Sequence, residues 1–189
     1  MNTLNAFISV NILNFNFSLV IDRMKITEFL KKENIRTGLL CSSKKRVFEL
    51  ICNIVSSQTE EQETSCFEAI CHREKMGNTG LNNGIAIPHA KLAVGDKPIA
   101  VFLQLDTPIK YDSADHRDVD LIFAILIPED CCPSCSPLLP YLAECFSDKN
   151  LCKQLRLAKS PDEVWSIFLA HDHIEVVEEA KESEQTTDY

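Results

Sequence analysis

The feature that most constrains this chain is the nine-residue run VDLIFAILI, Val119 to Ile127, in which Asp120 is the only polar residue. A strand with one face in water alternates apolar and polar side chains, whereas an unbroken apolar run needs packing on both faces. Nine residues fall far short of a bilayer span. The run therefore reads as a central strand covered on both sides. Pro98 to Leu105 (PIAVFLQL) reads as a second strand, and the turn-rich TPIKYDSADHRD between them as an exposed loop or hairpin. Upstream, Asn34 to Leu40 reads as a short strand. Ser42-Ser43 cap a helix through KKRVFELICNIVSS, whose Val47, Leu50, Ile51, Ile54 and Val55 recur at helical spacing. A second helix fits EEQETSCFEAICHREKM and ends near Gly77. After Pro128 the pattern is helical again: Leu138 to Phe146, Ser147 to Ala158, and a helix capped by Ser160-Pro161-Asp162-Glu163. The order predicts an α/β fold, a single-domain sandwich with a mixed central β-sheet flanked by helices on both faces. A chain of 189 residues suits one domain with a substantial core.

The ends read differently. From Asp172 to Tyr189 there are seven acids against Lys181, so residues 1–171 hold only −3 of the formal net charge of −9. Residues 172–189 are expected to be an acidic, solvated and disordered tail. Neither part offers a basic stripe, which argues against nucleic-acid binding. Residues 1–23 are apolar but broken by five asparagines, with no basic n-region and no A-x-A-like cleavage site. Neither a secretory signal nor membrane insertion is expected from them. They stand as an N-terminal extension whose assignment is open, and the domain is expected to span residues 24–171, from the amphipathic KITEFLKKENI onward.

Nine cysteines without a signal segment point to a reducing, cytoplasmic setting. Cys52, Cys66, Cys71, Cys145 and Cys152 fall in apolar helical patterns and read as core residues. Cys131-Cys132-Pro133-Ser134-Cys135 contains a C-x-x-C unit and stands apart.

The chemistry concentrates in GIAIPHAK, residues 84–91. Ile85-Ala86-Ile87 reads as a buried strand, and Pro88 fixes φ and biases Ile87 toward an extended conformation. His89 is thereby delivered on a stiff backbone at a strand end. Upstream lies Arg73-Glu74-Lys75-Met76-Gly77-Asn78-Thr79-Gly80. Its glycines and short polar side chains can turn N–H groups and hydroxyls toward an anion, and an arginine can pair bidentately with phosphate oxygens. The same pattern also suits a plain helix C-terminus followed by a turn.

REKMGNTGLNNGIAIPHAK closely resembles the active-site segment of the IIA proteins of the bacterial phosphoenolpyruvate:sugar phosphotransferase system, in the fructose/mannitol (type 2) superfamily. It is most similar to the nitrogen-related regulatory branch. SKKRVFELI and VFLQLDTPIKYDSADHRDVDLIFAILIPED extend the resemblance over roughly residues 26–169. The resemblance implies that His89 accepts a phosphoryl group from the phosphocarrier HPr and that Arg73 lies beside it. Asn78 (where serine is usual) and Thr79 would stand in the phosphoryl-binding loop. It also implies a phosphohistidine-forming carrier that needs no cofactor or metal and regulates partner proteins by its phosphorylation state. Pro137 falls where the family often has a second histidine.

Two other readings remain open. The chain could be a docking module that has lost phosphorylation, as Pro137 suggests, or a thiol redox or metal protein built on Cys132 and Cys135. A single C-x-x-C supplies only two zinc ligands, and no second pair with the usual spacing accompanies it.

Overall fold

The structure, a computed structural model, describes residues 24–131, 135 and 137–185, with side chains through residue 173. Five strands form one mixed sheet: β1 (Leu30–Leu39), β2 (Ile85–Ala86), β3 (His89–Leu92), β4 (Ile99–Ile109) and β5 (Val119–Pro128). Six helices are described: α1 (Ile26–Phe29), α2 (Lys44–Ser56), α3 (Glu63–Met76), α4 (Leu138–Cys145), α5 (Lys149–Leu157) and α6 (Pro161–Gln185). The sheet runs β1-β4-β5-β2, with β3 also on β5. Only the β4–β5 pair is antiparallel; β1 on β4, and β2 and β3 on β5, are parallel. This is the α/β sandwich with a mixed sheet that the sequence predicts.

β5 explains its own composition. Leu121, Phe123, Ile125 and Ile127 enter one core with α1, α4, α5 and α6. Ile122, Ala124 and Leu126 enter a second core with α2 and α3. Alternation sends both registers into apolar layers, so neither can be polar. In the first core Phe102, Phe123 and Phe146 gather around Phe168, with ring centroids 5.3 to 6.4 Å from it. α2 begins at Ser43, whose Oγ accepts from Arg46 N at 3.3 Å.

Several expectations shift. KITEFLKKENI supplies one helical turn and then enters β1, because the backbone from Leu30 pairs with β4. β4 runs on to Ile109, past the expected end at Leu105, with a register irregularity between Gln104 and Ile109. Of the expected core cysteines, Cys52, Cys66, Cys145 and Cys152 are buried and Cys71 is half-buried. The solvated tail cannot start at Asp172. That carboxylate is 3 % exposed and accepts from Ile26 N and Thr27 N, both at 3.0 Å, and from Thr27 Oγ1 at 2.6 Å. It caps α1 from α6, which runs on through Gln185. The extension 1–23 and Cys132 lie outside the described residues.

Candidate active site

His89 does not end a strand; it opens one. Pro88 has no N–H, so the backbone pairing to β5 breaks between β2 and β3. Ile87 N turns instead to Thr79 O at 2.9 Å, while Pro88 O still accepts from Ile125 N at 3.0 Å. His89 resumes the ladder in register with Ile125. The break displays the imidazole at the sheet edge with backbone bonds immediately before and after it.

The ring is half-buried and both its nitrogens are engaged. Nδ1 lies 2.9 Å from Ile87 O, and Nε2 accepts from Arg73 Nε at 2.8 Å. A carbonyl can only accept, so Nδ1 carries the hydrogen and Nε2 the lone pair. Burial holds the imidazole below its ordinary pKa. The Ile87 carbonyl opposes this, Arg73 adds to it, and Glu74 opposes it. His89 is therefore a neutral base with its lone pair directed at a guanidinium.

Arg73 comes from the last turn of α3, and its Nη1 donates to Gly77 O at 2.8 Å. The loop behind it is tightly tied. Asn78 Nδ2 donates to Tyr111 O at 3.0 Å and to Asp112 O, and Asn78 Oδ1 accepts from Gly80 N at 2.6 Å. Thr79 donates its N–H (3.1 Å) and its hydroxyl (2.5 Å) to the two oxygens of Glu74. A Cβ on Gly80 would meet Ser113 Oγ at 2.7 Å, so only glycine lets the loops approach this closely. The structure thus joins Arg73 to His89. It ties the side chains of Asn78 and Thr79 into the loop; neither is hydrogen-bonded to the imidazole.

The sequence reading missed Glu74, Lys44 and Tyr111. Lys44 Nζ lies 2.6 Å from Glu74 Oε1 and donates to Tyr111 O at 3.0 Å, and Tyr111 OH lies 3.0 Å from Thr79 Oγ1. The available signal was the Arg73-Glu74 dipeptide, opposite charges side by side where a helix ends against a buried strand.

Pro137 is the N-cap of α4. Cys131 and Cys135 pack against the first core, and Cys131 Sγ bonds Asp96 O at 3.2 Å. Cys41, Cys71 and Cys152 are held above the ordinary thiol pKa, chiefly by burial, and Cys52 chiefly by its hydrogen bond with Cys66. Thiols so placed are poor nucleophiles. Among the described residues no group of three or more His, Cys, Asp or Glu could hold a metal ion, and no helix is long and apolar enough to cross a membrane.

Residues 28–171 match the model of the phosphoenolpyruvate-dependent sugar phosphotransferase system EIIA 2 family. The chain belongs to this family. Over 164 residues it is 55% identical to the nitrogen regulatory protein homolog of Haemophilus influenzae, covering 84% of this chain and all of that protein. Its fold matches the crystal structure of nitrogen regulatory protein IIA-Ntr from Neisseria meningitidis with TM-score 0.72 and 33% identity, over 76% of this chain and 98% of that one. It also resembles the mannitol IIA enzyme of Escherichia coli, solved in complex with phosphorylated enzyme IIB. That likeness has TM-score 0.62 and 19% identity, over 75% of this chain and 99% of that one, and speaks for the fold alone.

Proposed function

We propose that this IIA protein is a cytoplasmic phosphocarrier of regulatory type that accepts a phosphoryl group from HPr on Nε2 of His89. The observation that carries the reading is the neutral imidazole with Nδ1–H on a carbonyl and its Nε2 lone pair held 2.8 Å from Arg73 Nε. Nε2 attacks phosphorus as the bond from phosphorus to the donor's histidine nitrogen breaks, and the leaving nitrogen recovers its electron pair. Positive charge arising on the ring is shared onto Nδ1–H, which the Ile87 carbonyl accepts. Arg73 gives up its bond to Nε2 and turns its planar fork to the phosphoryl oxygens, where charge develops. Its anchor on Gly77 O limits that movement to a small one. Asn78 and Thr79 shape the loop that holds Arg73, so their contribution is positional.

Downstream, the carrier docks protein partners that respond to its phosphorylation state. Support comes from the regulatory names of its relatives and from the IIA–IIB complex of the mannitol protein. The docking-only reading rests on Pro137, which leaves the start of α4 without an imidazole. Incubation with phosphoenolpyruvate, enzyme I and HPr, followed by mass spectrometry at neutral pH, separates the two. Phosphate is expected on His89, and an unlabelled protein would leave docking alone.

A further inference from the structure

Behind the Arg73–His89 pair sits a charged network that the attack itself does not use. Lys44 is the first residue of α2 and Glu74 lies in the last turn of α3, their side chains 23% and 10% exposed. Glu74 receives three donors: Lys44 Nζ at 2.6 Å, Thr79 N at 3.1 Å and Thr79 Oγ1 at 2.5 Å. Since the Thr79 proton goes to Glu74, the Tyr111 hydroxyl 3.0 Å away must donate to Thr79 Oγ1. Lys44 also bonds Tyr111 O and lies 4.0 Å from the centroid of the Tyr111 ring. Two helices and the Gly77–Gly80 loop thus converge on one carboxylate, and the segment after β4 holds the Lys44 and Thr79 that bond it.

This arrangement does two things. It fixes Thr79 against the final turn of α3, and with it the loop whose Gly77 carbonyl anchors Arg73. It also balances charge. Arg73 and Glu74 are the charged neighbours that act on the imidazole, and Glu74 favours its protonated form. Lys44 reaches the ring only through Glu74; Lys91, on the same strand as His89, is exposed. Without Lys44, a largely buried carboxylate would keep its bonds from Thr79 but lose its cation, beside a site that has to receive an anion.

We infer that Lys44 and Glu74 are a positioning pair: Lys44 neutralises Glu74 so that His89 stays unprotonated and the site keeps the positive charge of Arg73 for an incoming phosphoryl group. The phosphoryl half of this inference rests on the phosphocarrier reading. The half that concerns the ring does not.

The test is an NMR titration of the His89 ring in the intact, unphosphorylated chain, for wild type, Lys44→Met, Glu74→Gln and the double variant, with thermal melts recorded on each. Lys44→Met should raise the His89 pKa by roughly half a unit and Glu74→Gln should lower it, with the double variant between them. If Lys44→Met does not fold, Lys44→Gln, which keeps a donor to Glu74, should show the same upward displacement. In labelling by phosphorylated HPr, Lys44→Met should slow transfer about tenfold at neutral pH and move the acid limb of the profile upward. Glu74→Gln should move that limb downward. Coincident ring titrations in all folded variants would overturn the inference. So would a loss of rate and stability in both single variants without opposite displacements along pH. If wild type takes up no phosphoryl group, the phosphocarrier reading falls, and the ring titrations still decide the pair.

Discussion

Two arginines mark two ends of β5, and they are used in opposite ways. Arg156, from α5, grips Asp120 with Nε and Nη2, both at 2.7 Å, and bonds Asn83 O at 2.6 Å. About five residues along the strand, roughly 16 Å away, Arg73 bonds a neutral imidazole and one carbonyl. Gly84 packs directly on the first pair. Its φ of 79° and its carbonyl, which accepts from Asp120 N and Leu121 N, lock β2 to β5 there. The first guanidinium is saturated by a carboxylate and serves the fold. The second keeps its charge available, since its partner is neutral and can be exchanged. An arginine whose best partner is uncharged, bonded to the lone pair of a neutral base, marks the end where chemistry can happen.

The largest effect that tests this contrast is at the base. His89→Ala should reduce phosphoryl labelling to background while leaving the melting temperature close to wild type, because the ring is half-buried and outside both cores. Undiminished labelling would break the assignment. Next come the arginines as a crossed pair. Arg73→Ala should slow transfer by about 10²-fold with little change in stability, since it removes charge stabilisation of the phosphoryl oxygens. Arg73→Lys should fall between that variant and wild type, retaining charge without the fork. Arg156→Ala should do the reverse: a loss of about 1–2 kcal/mol in chemical denaturation, discounted for partial exposure, and an unchanged transfer rate per folded molecule. Equal effects of the two alanines on stability would erase the distinction.

How much of this was legible in the sequence follows from the distance over which each residue is determined. β5 could be read because its apolar run has no solvent face to record. The stiff delivery of His89 could be read because the I-P-H segment is a local pattern, whereas the place of Arg73 beside it came from the family resemblance, and the break that makes His89 the start of a strand requires seeing Ile87 N leave the sheet for Thr79. Asn78 and Thr79 were placed in the right loop, but their side chains answer to Asp112, Tyr111 and Glu74, partners contributed by other segments. Gln104 is similar. A polar residue in a buried strand looks like an error until its Nε2 is found facing the carbonyls of Leu155, Arg156 and Ala158 at the end of α5.

The smallest expected effect is on stability as a function of pH. Because the folded pKa of His89 lies below its ordinary 6.5, the unfolded chain binds the proton more tightly. The stabilising contribution is complete above about pH 6.5 and is lost as pH falls below that value toward the folded pKa. His89→Ala should flatten that segment of the stability–pH curve, whereas Arg156→Ala should leave its shape intact. A curve unchanged in His89→Ala would mean that the imidazole titrates as if exposed.

The Asp172 clamp has a consequence during synthesis. The amides of Ile26 and Thr27 are capped by a carboxylate up to 146 residues later in the chain. At translation rates of about 5–20 residues per second, the opening turn is made roughly 7 to 30 seconds before its cap exists. Through that interval α1 has no side chain to hold its first amides. The first helix among the described residues is therefore among the last to be secured, and a nascent chain halted before Asp172 carries all five strands of the sheet with that helix still unfastened.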